Sequence, residues 1–407
     1  MLQIKNTLGG SGSIKISNGN VHSVYGTELI KPNTFIEVNN NAYSSTLSYD
    51  KYGDDISFVW LREDRAIAVY QANTSPLGDI AQVISIDKST HTATLISTKT
   101  VVLSATTRSS YITFSLERID DNRALFVGRY PGSTIVRALV LKLNDDDSIT
   151  VGSPITIPSG KDRPYYRVSV CKIDDTHFFT MGLNANTYKA WFGVIYVNGT
   201  SCSIVKSVEN SSFDWYDYGL GAVCISIDRN HVFAAFGGGN FGRGAIIKVG
   251  SDYSLTTGTQ INLSVAATGT AGEDSIYYSG TKTILFKLGS TLVRATYDGN
   301  MSFTVDGSVE SAAFSHNIIN DVLYGATNTA LYIVNTSNWT KKSLLTFSAS
   351  VDLELKTLTG EDTMLCVFSS SSVNNIILNE ASPSNSRIDG VTISKISPSV
   401  KGKYYGL

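Results

Sequence analysis

A phrase near residue 119 recurs twice more along this chain. Leu116-Glu117-Arg118-Ile119-Asp120-Asp121-Asn122-Arg123-Ala124-Leu125-Phe126 returns as Val170-Cys171-Lys172-Ile173-Asp174-Asp175-Thr176-His177-Phe178-Phe179. It returns again as Cys224-Ile225-Ser226-Ile227-Asp228-Arg229-Asn230-His231-Val232-Phe233. The anchor isoleucines stand 54 residues apart each time (173−119 and 227−173). Self-similarity at this period marks a repeat architecture, in which one supersecondary unit buries its apolar faces against its neighbours.

The unit is made of strands. In its best-defined copy, four strand-like runs cover 110–116, 123–130, 135–143 and 148–157. Asp120-Asp121-Asn122, Pro131-Gly132-Ser133 and Asn144-Asp145-Asp146-Asp147 separate them. Asp, Asn and Gly supply side-chain turn bonds and tolerate positive φ, as hairpins require. The third run alternates in part, which predicts one more-solvated face. Tyr (21) and Phe (16) are plentiful, and sustained helical periodicity is scarce, so strands outcompete helices.

Extended along the chain, the template yields seven copies of drifting length. The first runs through Ile56–Tyr70. The fifth is compact, at Ile276–Lys287 and Thr291–Tyr297. The sixth includes Asn320–Ala326 and Leu331–Val334, and the seventh Glu361–Phe368 and Asn375–Leu378. Four-stranded units of this size stack radially into a β-propeller, whose closure removes exposed sheet edges. The expected fold is therefore an all-β, seven-bladed propeller with a small N-terminal β extension. Six blades are the alternative if the fifth and sixth copies merge, and the even anchor spacing argues against a β-sandwich. The expected organisation is an extension over 1–45, a propeller over 46–397 and a tail over 398–407. The extension carries Asn18-Gly19-Asn20 between short apolar runs, which predicts a hairpin, and one of its strands is a candidate to close the ring.

Charge excludes some partners. With 33 Lys and Arg against 35 Asp and Glu, the net charge is −2 and no basic block exists, so nothing favours nucleic acid. No run of about 18 apolar residues predicts a membrane span, and the first residues lack the apolar stretch of a secretory signal. Cys171, Cys202, Cys224 and Cys366 show no metal-type spacing and read as apolar strand positions.

Catalytic signals are poor. His177 and His231 share the repeat position that Arg65 and Arg123 also take, which reads as a turn cap rather than a catalytic base. Adjacent acids fall in predicted turns, where solvation and backbone capping account for them. Clustered oxygens at Asn144–Asp147 suggest calcium, but no full ligand loop follows. Phe236-Gly237-Gly238-Gly239-Asn240-Phe241-Gly242-Arg243-Gly244 leads into a strand, not the helix a phosphate cradle needs, and reads as a hairpin tip. No catalytic residue, metal ligand or cofactor is expected.

The binding candidates are aromatic. Asp214-Trp215-Tyr216-Asp217-Tyr218 lies between two repeats, and Tyr165-Tyr166 takes the equivalent place one repeat earlier. Rings beside carboxylates can stack on sugars and accept hydroxyl hydrogen bonds; packing between blades is the competing role.

Two terminal pieces carry a resemblance. The segment Gly26-Thr27-Glu28-Leu29-Ile30-Lys31-Pro32-Asn33-Thr34 and the segment Arg387-Ile388-Asp389-Gly390-Val391 resemble short modules in bacteriophage tail, fibre and baseplate proteins and in phage-tail-like particles. That resemblance implies a virion or particle component, made in the bacterial cytoplasm, whose partners are other tail proteins and a host cell-surface glycan. It carries over no catalytic residue. The expectation is a non-enzymatic attachment protein. The alternatives are a purely structural tail or baseplate connector and a glycan-processing hydrolase, the latter requiring carboxylates that converge at the channel mouth.

Overall fold

The structure is a computed structural model. It describes residues 15–17, 20–22, 28–30, 38–46, 51–62, 64–87, 90, 92–104, 114–129, 135–157, 168–184, 189–214, 219–238, 242–263, 275–278, 282–288, 291–310, 313–319, 322–327, 330–334, 340–346, 352–357, 363–369, 374–383, 387–388 and 391–392.

Seven antiparallel sheets follow one another along the chain. Blade 1 comprises Lys51–Arg62, Arg65–Ala72, Gly78–Asp87 and an outer edge split into Thr92–Leu95 and Thr100–Ser104. Blade 2 comprises Phe114–Asp120, Arg123–Arg129, Val136–Leu143 and the split pair Ile149–Val151 and Ile155–Thr156. Blade 3 comprises Ser169–Lys172, His177–Asn184, Lys189–Asn198 and the unbroken Ser201–Asp214. Blade 4 comprises Gly219–Asp228, His231–Gly238, Arg243–Val249 and the split pair Leu255–Thr257 and Ile261–Asn262. Blade 5 comprises Ser275–Tyr278, Thr283–Leu288, Thr291–Tyr297 and Phe303–Glu310. Blade 6 comprises Ala313–Ile319, Val322–Thr327, Ala330–Val334 and Lys341–Thr346.

Blade 7 is assembled from both ends of the chain. Asp352–Thr357, Thr363–Ser369 and Asn374–Pro383 pair in order, and the fourth strand is Val38–Thr46, in register from Asn375 opposite Thr46 to Pro383 opposite Val38. The first strand of every blade touches the first strand of the next, and that of blade 7 touches that of blade 1. The ring is closed, and the molecule is a seven-bladed β-propeller with first strands innermost. The extension expected at 1–45 thus gives up Val38–Thr46 to the ring. Lys15–Ser17, Asn20–His22 and Glu28–Ile30 form a separate small sheet, its first two strands flanking the Asn-Gly turn as a hairpin. Arg387–Ile388 and Val391–Thr392 form a second one, so the last ring strand ends at Pro383.

Each described seam between blades has its own core. In blade 2, Ala124 and Phe126 pack towards Val59, Leu61 and Ile67 of blade 1, while Leu125 and Val127 pack towards Val168, Val170 and Phe178 of blade 3. Val136, Ala138 and Val140 face blade 3, and Leu139, Leu141 and Leu143 face blade 1. The alternation of this strand therefore does not mark a solvated face. Only Arg137 and Lys142 escape burial in it, because both faces are covered, as for any strand between two layers. Between blades 4 and 5, Phe233 stands 4.7 Å from Phe286 and meets Phe303 edge-on at 5.1 Å. Burying one such ring is worth roughly 1.5–3 kcal/mol.

Candidate functional site

The recurring phrase is the hairpin between the first and second strands, and its polar residues are local clamps. Asp120 Oδ1 accepts the Asn122 N–H at 3.0 Å, Asp174 Oδ1 that of Thr176 at 2.9 Å, and Asp228 Oδ1 that of Asn230 at 2.7 Å. The Arg or His three residues on then contacts the same carboxylate. Arg123 Nη2 lies 2.6 Å from Asp120, His177 Nδ1 3.0 Å from Asp174, and His231 Nδ1 3.0 Å from Asp228.

These side chains also reach the next blade, at or beside the turn between its third and fourth strands. Arg65 grips Asp147 of blade 2 through two bonds of 2.7 and 3.1 Å. Arg123 donates to the Gly199 carbonyl of blade 3 at 2.6 Å. His177 stacks on Tyr253 of blade 4 with centroids 3.9 Å apart, its Nδ1 2.8 Å from the Tyr253 hydroxyl. His231 stands against Tyr297 of blade 5 at 6.0 Å. Links also run backwards: Arg118 donates to the Leu61 carbonyl at 3.0 Å and Lys172 to the Ile119 carbonyl at 3.1 Å. The shared Arg/His position therefore joins blades. Tyr253 and Asp147 both have positive φ in turns of the same design, where Ser148 and Ser254 donate to Asp146 and Asp252. Composition gave no signal for Tyr253; spacing did, since it stands about two repeats after Asp147.

Electrostatics agree with this role. Burial alone would raise the Asp174 carboxyl, but the Thr176 N–H and His177 outweigh it and hold the group at about 2. At Asn144–Asp147, Asp147 is taken by Arg65, Asp146 by Ser148, and the Asn144 amide donates to Ser148 and Thr150. Among the described residues no three His, Cys, Asp or Glu side chains gather as metal ligands would.

The aromatic candidates fall elsewhere. Tyr165, Tyr166, Trp215, Tyr216, Asp217 and Tyr218 lie outside the described residues, as do residues 239–241 of the glycine-rich loop. Of the predicted set only the backbone of Asp214 is described, at the end of the blade 3 outer strand, where it pairs with Lys189, itself opposite Asn184. In blade 4, Gly219 lies opposite Gly238. Asn184, Lys189, Asp214, Gly219 and Gly238 are thus strand ends on one side of the ring, away from the Asp174–His177 hairpin.

The chain ends of the ring leave on the other side. Residues 47–50 alone separate Thr46 from Lys51, so the Thr46 end of blade 7 matches the start of the inner strand of blade 1. Val38 and Pro383, at the far end of that pairing, lie on the side of the Arg62–Arg65 hairpin. The small terminal sheets therefore join the ring at one point, on the clamp side.

Comparison with known proteins supports the fold alone. The chain matches no family model, and no curated protein matches it. Among solved structures it is similar to a protein from Lactobacillus plantarum, with 13% identity, a TM-score of 0.50 and coverage of 78% of this chain and 96% of that one. The β-propeller domain of Cps50 (Swd1) from Myceliophteria thermophila also aligns, at 10% identity and a TM-score of 0.49 over 84% and 99% of the two chains.

Proposed function

We propose that this propeller is a non-enzymatic attachment component of a bacteriophage tail or related tail-like particle, presenting one face of its ring to a host-surface glycan. The observation that supports this reading is the pairing of Val38 with Pro383, which sets the two points where the chain leaves the ring towards its terminal segments side by side on the clamp side. The opposite side, with the strand ends at Asp214 and Gly219 that flank the aromatic segment, is then free to face outward. Connections between rigid elements are the usual carriers of binding residues. A non-enzymatic role is supported by the turn carboxylates of blades 2 to 4. Asp120, Asp174 and Asp228 are each engaged within their own hairpin rather than turned together across a cleft.

The test is the triple substitution of Trp215, Tyr216 and Tyr218 to alanine. Each lost stacked ring costs about 1–3 kcal/mol in stacking recognition, or on the order of ten- to hundredfold in affinity. The variant should keep its circular dichroism spectrum and lose adsorption to host cell walls. Normal adsorption by a folded variant would move the site away from these rings. Unfolding would assign them to packing between blades.

A further inference from the structure

The innermost strands of blades 3 and 4 bring two thiols together. Ser169 and Cys171, two residues apart on one strand, point to the same side, towards blade 4. From blade 4, the Cys224 N–H donates to Ser169 Oγ at 3.1 Å, and the Cys224 thiol lies 3.4 Å from the same oxygen. The strands that carry Cys171 and Cys224 touch, and both residues sit in one buried seam among Phe179, Phe192 and Phe236. Packing alone does not call for sulfur here. One repeat away, the positions equivalent to Cys171 and Cys224 hold Ile225 and Val170 (171+54 and 224−54), both aliphatic.

We propose that Cys171 and Cys224 are a dithiol that closes into a reversible disulfide, locking blade 3 to blade 4 beside the central axis. The step is a two-electron oxidation. The two S–H bonds break, one S–S bond forms, and two protons and two electrons pass to a thiol oxidant such as dioxygen, which leaves as hydrogen peroxide. Its rate is set by access and by thiolate. Burial, then the neighbouring Cys224, then the Glu117 carboxylate push the Cys171 thiol well up. Thiolate is therefore scarce at neutral pH and the closure is slow. In a reducing cytoplasm the pair stays open, and outside a cell it closes. The chemistry does not depend on the attachment reading.

The experiment treats the folded, reduced protein with diamide, then alkylates free thiols in denaturant and maps the peptides. The chain has four cysteines, so two should remain alkylatable. The intact mass should fall by two hydrogens, and a peptide joining Cys171 to Cys224 should appear and vanish with reductant. Four alkylatable thiols after prolonged oxidation would overturn the proposal. So would a crosslink that joins Cys202 or Cys366 instead, or one formed only between separate chains. A Cys171→Ser variant that folds should retain three alkylatable thiols under the same treatment; a monomeric disulfide forming in it would count equally against the pair.

Discussion

Asp174 shows how one carboxylate serves a turn and a seam at once. It accepts the N–H groups of Thr176 and His177 and lies against the His177 ring that stacks on Tyr253. Its carboxyl is held at about 2, below the usual carboxylate range. A depressed acid contributes stability that is present above its unfolded value and lost as pH falls through the folded one, so about 2 kcal/mol should fade between pH 4 and pH 2. Asp174→Asn should flatten that acid limb in thermal melts, and a limb as steep as the wild type's would refute the assignment. Asp79 has the opposite sign. It is buried in blade 1, its Oδ2 has no protein partner, and burial raises its carboxyl well above the usual range. Its protonation favours the folded state, so its effect on stability worsens as pH rises from 4 towards its folded value. Asp79→Asn should melt higher than the wild type at pH 8 and lose that advantage at pH 4. A constant difference across this range would show that the carboxyl does not titrate there.

At the scale of single elements, the sequence reveals strands and turns but not which neighbour each face meets. The hairpin phrase is legible because Asp and the Arg or His three residues on answer a local need, the capping of a two-strand turn. The third strand of blade 2 is misread as half-solvated because alternation looks the same when two different blades cover the two faces. Where the outer strands of blades 2 and 4 break, a glycine lies close against the backbone of the next blade. A Cβ on Gly152 would fall 2.1 Å from the Thr200 carbonyl oxygen, and one on Gly258 2.2 Å from that of Met301. These contacts are with backbone, which cannot rotate away, so Gly258→Ala should cost on the order of 2 kcal/mol. Gly193→Ala, whose Cβ would meet the Thr180 methyl at 3.3 Å, should cost less. Urea midpoints that rank the two substitutions the other way would refute this account.

For the whole molecule, closure by Val38–Thr46 is the decisive contact. Removing residues 1–37 leaves the seventh sheet four-stranded, whereas removing 1–46 bares the edge of Asn374–Pro383. The shorter truncation should keep the melting temperature and the elution volume of the intact chain. The longer one should melt several degrees lower and self-associate through the unpaired edge. Equal behaviour of the two would mean that the ring does not depend on this strand. By itself the sequence determined the unit and its period and left the count at seven or six, because hairpin turns and apolar strands are specified by residues close in the chain. Only the tertiary structure decided which strand closes the ring, which turn each Arg or His clamps, and that Cys171 meets Cys224. Those pairings join residues one repeat or a whole chain apart, and their energy comes from burial and hydrogen bonds that exist only once neighbouring blades have packed.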